Sequence, residues 1–307
     1  MPVCTNCAYP ADHVYTTYKT KSNIRLGVCA RCDHFLDPLI EHPDLIILLD
    51  LILLKPRVFL HLLFNRGSPP YDADQGKAIS ADDRTKVRKN RLTQDLWRLG
   101  ALSIVAETIL RLLPTKTKSL TTTWIQAFTV TAIVCLEGFT QHAVTLALAL
   151  LALKKRGWIP SSCSTARNKE LLRDGRQENF VPILIPLTIL YTSLLPLLLQ
   201  LVLSIWYTPP PSIHEHLPFA QSSTSILSNL PFQLPQEYLE IENALNQAWF
   251  RSDRVWVGTR LLGGMSAGFG LRVLLPTKPW ETTAIVLAGW MGAAVVPHAM
   301  NYFKTFV

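Results

Sequence analysis

The stretch FVPILIPLTILYTSLLPLLLQLVLSIWY, Phe180 to Tyr207, runs for 28 residues without a charged side chain. A helix needs about 20 mostly apolar residues to cross the ~30 Å hydrocarbon core of a bilayer. This run therefore predicts a transmembrane helix. Pro182, Pro186 and Pro196 are expected to kink it, which membrane helices tolerate where neighbours satisfy the freed carbonyls. Working outward, Thr282 to Phe303 is a second uncharged run, and Trp124 to Leu153 a third whose one charge is Glu137. Val255 to Leu275 is a fourth, with Arg260 and Arg272 near its ends, where long side chains can snorkel to the interface. In Leu96 to Leu113, Gly100, Ser103, Glu107 and Arg111 share one helical face. That pattern suits either an interfacial helix or a span turning a polar stripe into a bundle.

The whole chain agrees with this local reading. Of 307 residues, 17% are charged and 49% hydrophobic, against about 25% charged in soluble proteins. Mean hydropathy is +0.20. These values exclude a disordered chain, and six cysteines exclude a disulfide-dense secreted scaffold. The net charge of +8 is unevenly spread. Segment 154–179 carries Lys154, Lys155, Arg156, Arg167, Lys169, Arg173 and Arg176. Segment 208–250 has no lysine or arginine but has Glu215, Glu237, Glu240 and Glu242. By the positive-inside rule the first is cytosolic and the second lies on the far side. The basic run Arg84, Lys86, Arg88, Lys89 and Arg91 makes the segment before residue 96 cytosolic too. Two cytosolic flanks need an even number of crossings between them, so 96–113 and 124–153 both cross. The expectation is five spans, near 96–113, 124–153, 180–207, 255–275 and 282–303, with a far-side loop 208–253 ending in a helix at Gln236 to Phe250. Lys116 and Lys118 would then be translocated, and this keeps four spans as the alternative. No apolar signal segment is visible in the first forty residues, so the N-terminus is expected in the cytosol.

Ahead of the spans, Cys4-Thr5-Asn6-Cys7 and Cys29-Ala30-Arg31-Cys32 form two Cys-x-x-Cys knuckles. Four thiolates can converge tetrahedrally about ~2.3 Å from a zinc ion. Between them Val14 to Tyr18 and Ile24 to Val28 alternate like a short hairpin, as a zinc ribbon requires, with the metal standing in for a core too small to fold alone. Cys4, Cys7, Cys29 and Cys32 are the candidate ligands. A four-cysteine set leaves no open coordination position, so the zinc would be structural. His13 and His34 are expected at the surface, Cys135 in the core or facing lipid, and Cys163 as a free thiol. The module 1–40 leads into residues 41–66, two short apolar pieces broken by Lys55-Pro56-Arg57 and each too short to span. Asp50, Arg57 and His61 fall on one stripe, so the pair reads as broken amphipathic helices that either pack on the ribbon or lie on headgroups. Residues 67–95 read as a basic cytosolic linker, and 96–307 as the transmembrane bundle.

These motifs resemble a known family. Cys4-x-x-Cys7, Ile24-Arg25-Leu26, Cys29-x-x-Cys32, Asp37, Ile40-Glu41, Asp44, Leu53-Leu54-Lys55-Pro56 and His61-Leu62-Leu63-Phe64-Asn65 are similar to the Arv homology region, over about residues 1–65. Leu60 departs from it, standing where the family more often has arginine, so this chain lacks that contact or supplies it from Arg57. The resemblance implies a mediator of lipid homeostasis without enzyme activity, in the endoplasmic reticulum membrane, with the Golgi as a second location. It implies sterol distribution, with effects on sphingolipid metabolism and glycosylphosphatidylinositol-anchor synthesis. The partners would be sterol, ceramide or anchor intermediates and the enzymes that make them.

Two other classes compete. An intramembrane acyl or glycosyl transferase would use ionisable groups inside spans, here Glu137, His142 and His298 with Asn301. Glu137 and His142 are five residues apart and so about 140° apart around a helix, poor geometry for a base and its orienting carboxylate. A ribbon flanked by basic residues could bind nucleic acid. The same run before a membrane segment gains about 1 kcal/mol per cation near anionic lipid, which accounts for it without nucleic acid. Gly264-x-x-x-Gly268 and Ala288-x-x-x-Gly292 let helices approach closely or leave a groove for a rigid ring.

Overall fold

The computed structural model describes residues 1–18, 24–72, 81–112, 120–158, 174–206 and 254–304. The expected loop 208–253 with its helix, Cys163, Lys116, Lys118 and most of the basic loop lie outside the described residues, as do the side chains of His298 and Asn301. Strand β1 (Tyr15–Thr17) pairs antiparallel with β2 (Ile24–Leu26), Tyr15 opposite Leu26, which is the hairpin the alternation implies. A third strand, β3 (Tyr71–Asp72), adds parallel to the other edge of β1, drawing the start of the expected linker onto the head.

Helices α1 (Asp44–Ile52) and α2 (Pro56–Leu60) follow, and α2 runs on into a π-helical turn, His61–Asn65. The break between them has a local cause. Leu54 takes a left-handed φ of 54°, and Lys55 is extended, as a residue before proline must be. Pro56 then opens α2, where its missing N–H costs nothing. The expected stripe of Asp50, Arg57 and His61 does not exist, because the break swings the two helices apart. Asp50 accepts from Lys55 at 2.6 Å, whereas His61 is buried.

Five long helices complete the described chain: α3 (Ala81–Leu112), α4 (Leu120–Lys155), α6 (Leu184–Trp206), α7 (Arg254–Leu274) and α8 (Pro279–Lys304), with the short α5 (Gly175–Glu178) before α6. The segment read as a linker is helical from Ala81 and continuous with the polar-striped segment after residue 96. Only Pro196 lies inside α6. Pro186 falls in the first turn and Pro182 before it, so two of the three expected kinks are absorbed where no intrahelical N–H is needed. Among the described residues, two helices are long and apolar enough to cross a membrane, Trp124–Lys155 and Leu184–Ser204. Helix α3 misses that standard because its apolar C-terminal part still carries Asp95, Arg98, Glu107 and Arg111, and the apolar part of α7 covers only Leu261–Leu274. Helices stand at all five expected places, but among the described residues two of them meet the requirement, so the expected count of five spans is not confirmed.

Helix α6 packs on α3 and α7, α8 packs on α4 and α7, and α3 lies against α4. Threonine and glycine set the close approaches. A Cβ on Gly270 would meet Thr188 and Thr192, and one on Gly289 would meet Thr145. Of the expected small-residue pairs, Gly264 is filled by Trp290, while nothing approaches Gly268. Arg111 of α3 donates to both carboxylate oxygens of Glu137 on α4, at 3.2 Å from Nη1 to Oε1. Arg111 also pairs with Glu107 of its own helix at 3.6 Å, so loss of Glu137 leaves the cation a partner. Glu137→Ala is therefore expected to cost only about 1 kcal/mol of unfolding free energy, and Glu107→Ala/Glu137→Ala clearly more, measured by unfolding in detergent micelles.

One apolar core runs from the head into the helices. Val3, Leu39, Val58, Phe59, Leu63, Leu184, Leu187 and Leu271 are all buried in a single cluster. The head is thus not a bead on a tether: α2 lies on α7 and α1 on α6.

Candidate metal centre and the polar junction beneath it

The two knuckles fold alike. The amide of Ala8 donates to the Cys4 carbonyl at 2.9 Å, and that of Asp33 to the Cys29 carbonyl at 3.0 Å. In return Cys4 N–H donates to the Tyr9 carbonyl and Cys29 N–H to that of His34, both at 2.8 Å. Each turn closes on a residue with positive φ, Ala8 at 57° and Asp33 at 53°. Such a conformation costs a residue with a Cβ about 1 kcal/mol, and it aims both sulfurs of a knuckle the same way. Neither residue carries a signal in the sequence, since glycine would be the expected occupant.

The four sulfurs converge. All lie within 4.8 Å of one another, with Cys4 Sγ 3.7 Å from Cys32 Sγ and Cys7 Sγ 3.6 Å from Cys29 Sγ. A tetrahedral ion with Zn–S bonds of ~2.3 Å needs sulfurs ~3.8 Å apart. The spacing is compatible with a zinc site. Burial pushes the Cys4 and Cys7 thiols up. At Cys32 desolvation also pushes upward, but hydrogen bonds from the His34 amide, the Asn6 side chain and the neighbouring thiols bring the group down to about 6. His34 is exposed and its ring faces the Cys32 carbonyl, which raises its pKa. His13 stacks on Tyr71 at 5.1 Å. Cys135 is exposed on α4.

The cluster has little else to hold it. Its own apolar core consists of Cys4, Val14, Cys29 and Leu36. Below it lies a buried polar junction. Asp37 Oδ2 accepts from His61 Nδ1 at 2.7 Å and from Asn65 Nδ2 at 2.8 Å, and Asp37 Oδ1 accepts from the Leu39 amide at 3.1 Å. Asn65 also pairs with the backbone of Val3, accepting its N–H at 2.8 Å and donating to its carbonyl at 2.7 Å. Asp37, His61 and Asn65 are all buried. The π-helical turn is what brings His61 and Asn65 to the same side, toward the head, while Phe59 faces Phe269 of α7. Sequence reasoning found Asp37 and Asn65 only as members of a motif, and His61 also on a stripe with Asp50 and Arg57. Their types are ordinary at a surface, and nothing in the spacing shows that they meet.

Two more contacts lock the head down. Arg88, expected at the lipid surface with its basic neighbours, turns inward instead. It donates to the carbonyls of Asn179 (3.0 Å) and Leu63 (3.4 Å) and lies over the Phe64 ring at 5.1 Å. Burial pushes its pKa down to about 10. Gly175, at the start of α5, donates its N–H to the Ala8 carbonyl at 2.8 Å. A Cβ there would lie 2.6 Å from Val3 Cγ1 and 2.9 Å from the Ala8 carbonyl oxygen. Gly175→Ala should therefore lower stability by about 1–3 kcal/mol through overpacking, with faster proteolysis at the head as the readout. Leu60, the departure from the motif, is buried in the shared core, and Arg57 is exposed beside Asn6 and Phe35.

The profile of the Arv1-like family matches residues 3–227, from the first knuckle through α6. Protein arv1 of Schizosaccharomyces pombe is 46% identical over 63 residues, 20% of this chain and 24% of that relative. The Protein arv1 homolog of Dictyostelium discoideum is 39% identical over 66 residues, 21% of this chain and 27% of the relative. Protein ARV1 of Candida albicans is 38% identical over 98 residues, 32% of this chain and 33% of the relative. The chain thus spans about a quarter to a third of the length of these relatives. No solved structure matches. With the family profile covering most of the residues, from the cysteine cluster through the junction to the apolar helices, the chain belongs to the Arv1-like family.

Proposed function

We propose that this protein is a mediator of lipid homeostasis in the endoplasmic reticulum membrane that acts without catalysing a reaction. Cys4, Cys7, Cys29 and Cys32 hold a structural zinc ion, and α3, α4, α6, α7 and α8 cross the bilayer. The observation that carries this is the core in which Val3, Ala8 and Leu39, beside the cysteine cluster, pack with the apolar helices. A head built into a membrane bundle can present a lipid, or the enzymes that modify it, in a fixed position. Sterol is the first candidate cargo, with sphingolipid and glycosylphosphatidylinositol precursors as downstream effects. When bound, the zinc supplies four strong bonds to a head whose own apolar core is small. Asp37, His61 and Asn65 then hold that head against α2.

Glu137, the strongest acidic candidate for an intramembrane catalyst, is engaged by Arg111. That favours a structural role over general-base work. The test is to purify the full chain in mild detergent and identify what accompanies it. Enrichment of sterol, ceramide or anchor precursors over an unrelated membrane protein supports the proposal, and bulk membrane composition counts against it. The enzyme alternative has its own test. His142→Ala is expected to leave cellular sterol and sphingolipid profiles unchanged, whereas loss of one product with build-up of its precursor would favour catalysis.

A further inference from the structure

Helix α1, just after the cysteine head, is almost wholly apolar, yet most of it is not buried in the shared core. Leu51 faces the shared core, while Leu45 is 66% exposed, Leu49 50% and Leu53 66%, with Leu48 alongside them. Of its two acidic residues, Asp50 is paired with Lys55, and Asp44 stands exposed in the first turn, at the polar end of that face one turn before Leu48.

The neighbour of α1 says what covers this face. Leu48, Leu51 and Ile52 line a narrow groove with Tyr191, Leu194, Leu195 and Leu198 of α6, one of the two helices apolar enough to cross a membrane. Leu198 and Leu48, which share this groove, are both about half exposed, and Leu199 and Val202 extend the exposed apolar side of α6. A polar boundary fixes the depth. Tyr191 sits beside Asp95, Arg66 and Arg91, and Arg91 pairs with Asp95 at 3.8 Å. From Tyr191 to Leu198 the helix advances about 10 Å. That is the depth to which an interfacial helix buries its apolar face below the headgroups.

We propose that α1 is embedded in the acyl region of the leaflet nearer the cysteine cluster, with Leu45, Leu48, Leu49 and Leu53 against lipid. The head is then attached to the bilayer by its own helix as well as by the bundle, and the groove between α1 and α6 opens to acyl chains. The inference rests on the membrane reading of α6.

The test keeps the two apart. The full chain carrying p-benzoylphenylalanine in place of Leu49 is reconstituted in palmitoyl-oleoyl-phosphatidylcholine vesicles and irradiated, and adducts are identified by mass spectrometry. The same probe replaces Leu198 as the lipid-facing reference and Arg31 as the head reference. Phosphatidylcholine adducts at Leu49 within about two-fold of those at Leu198, with at least ten-fold fewer at Arg31, are the expected result. Adducts at Leu198 with Leu49 linked instead to this chain or to a second copy would overturn the inference and leave the membrane reading standing. Lipid adducts at neither site would overturn both.

Discussion

Cys29→Ser is expected to reduce bound zinc from about one ion per chain to near zero, because three thiolates leave a four-coordinate structural site open. The consequence should reach beyond the metal. The cluster's apolar support is Val14 and Leu36 with the buried sulfurs of Cys4 and Cys29 themselves, too little to close a fold. In small zinc modules the ion contributes about 10–16 kcal/mol of folding free energy. Residues 1–36 should then become protease-sensitive, while α4 and α6, whose apolar length does not depend on the head, remain inserted. Function should fall with the head. Elemental analysis of the purified variant and limited proteolysis check the two parts. Full zinc content together with full activity would defeat the assignment of Cys29 as a ligand. Acid should do reversibly what the substitution does permanently. Metal-binding thiols must lose their protons, so zinc is retained at neutral pH and released as the pH falls.

Asp37→Ala is the second large effect, expected to lower unfolding free energy by about 3–5 kcal/mol. The carboxylate is the acceptor for three donors, from His61, Asn65 and the Leu39 amide. His61, Asn65 and Leu39 are all buried, and each buried donor left unpaired costs about 1–3 kcal/mol. Asp37→Asn keeps one acceptor oxygen and should cost roughly half as much. Unlike the cysteine variant, both should retain zinc, because the knuckles close on their own backbone bonds. What loosens is the seating of the head on α2. Unfolding in detergent measures this loss, and zinc content separates it from the effect of Cys29→Ser. Wild-type stability in Asp37→Ala would show that the junction is not holding the head.

Part of this architecture is legible in the sequence. The two knuckles read directly as a cysteine cluster, because Cys-x-x-Cys closes locally and needs only a short hairpin to bring the pairs together. The hairpin at Tyr15–Thr17 and Ile24–Leu26 and the apolar helices at Trp124–Lys155 and Leu184–Ser204 were equally legible, since period and length are properties of a segment. Where the reading missed, a second segment decided the outcome. Asp50, Arg57 and His61 lie on one stripe only if the helix continues, and the left-handed Leu54 before Pro56 stops it. Arg88 reads as one more cation in a basic run, yet Phe64 and two carbonyls draw it inward.

By itself, then, the sequence determined the local chemistry: four thiols in two knuckles, helices too apolar for water, and the family the chain belongs to. Only the tertiary structure decided how these are joined. Asp37, His61 and Asn65 meet across 24 and 28 residues of chain, and Gly175 meets Ala8 across a far longer separation. Such contacts leave no periodic trace, because burial of a polar side chain depends on which partner faces it. The head and the bundle share one core for that reason: the apolar faces that close it are contributed by helices distant in sequence, and they become a core only when packed together.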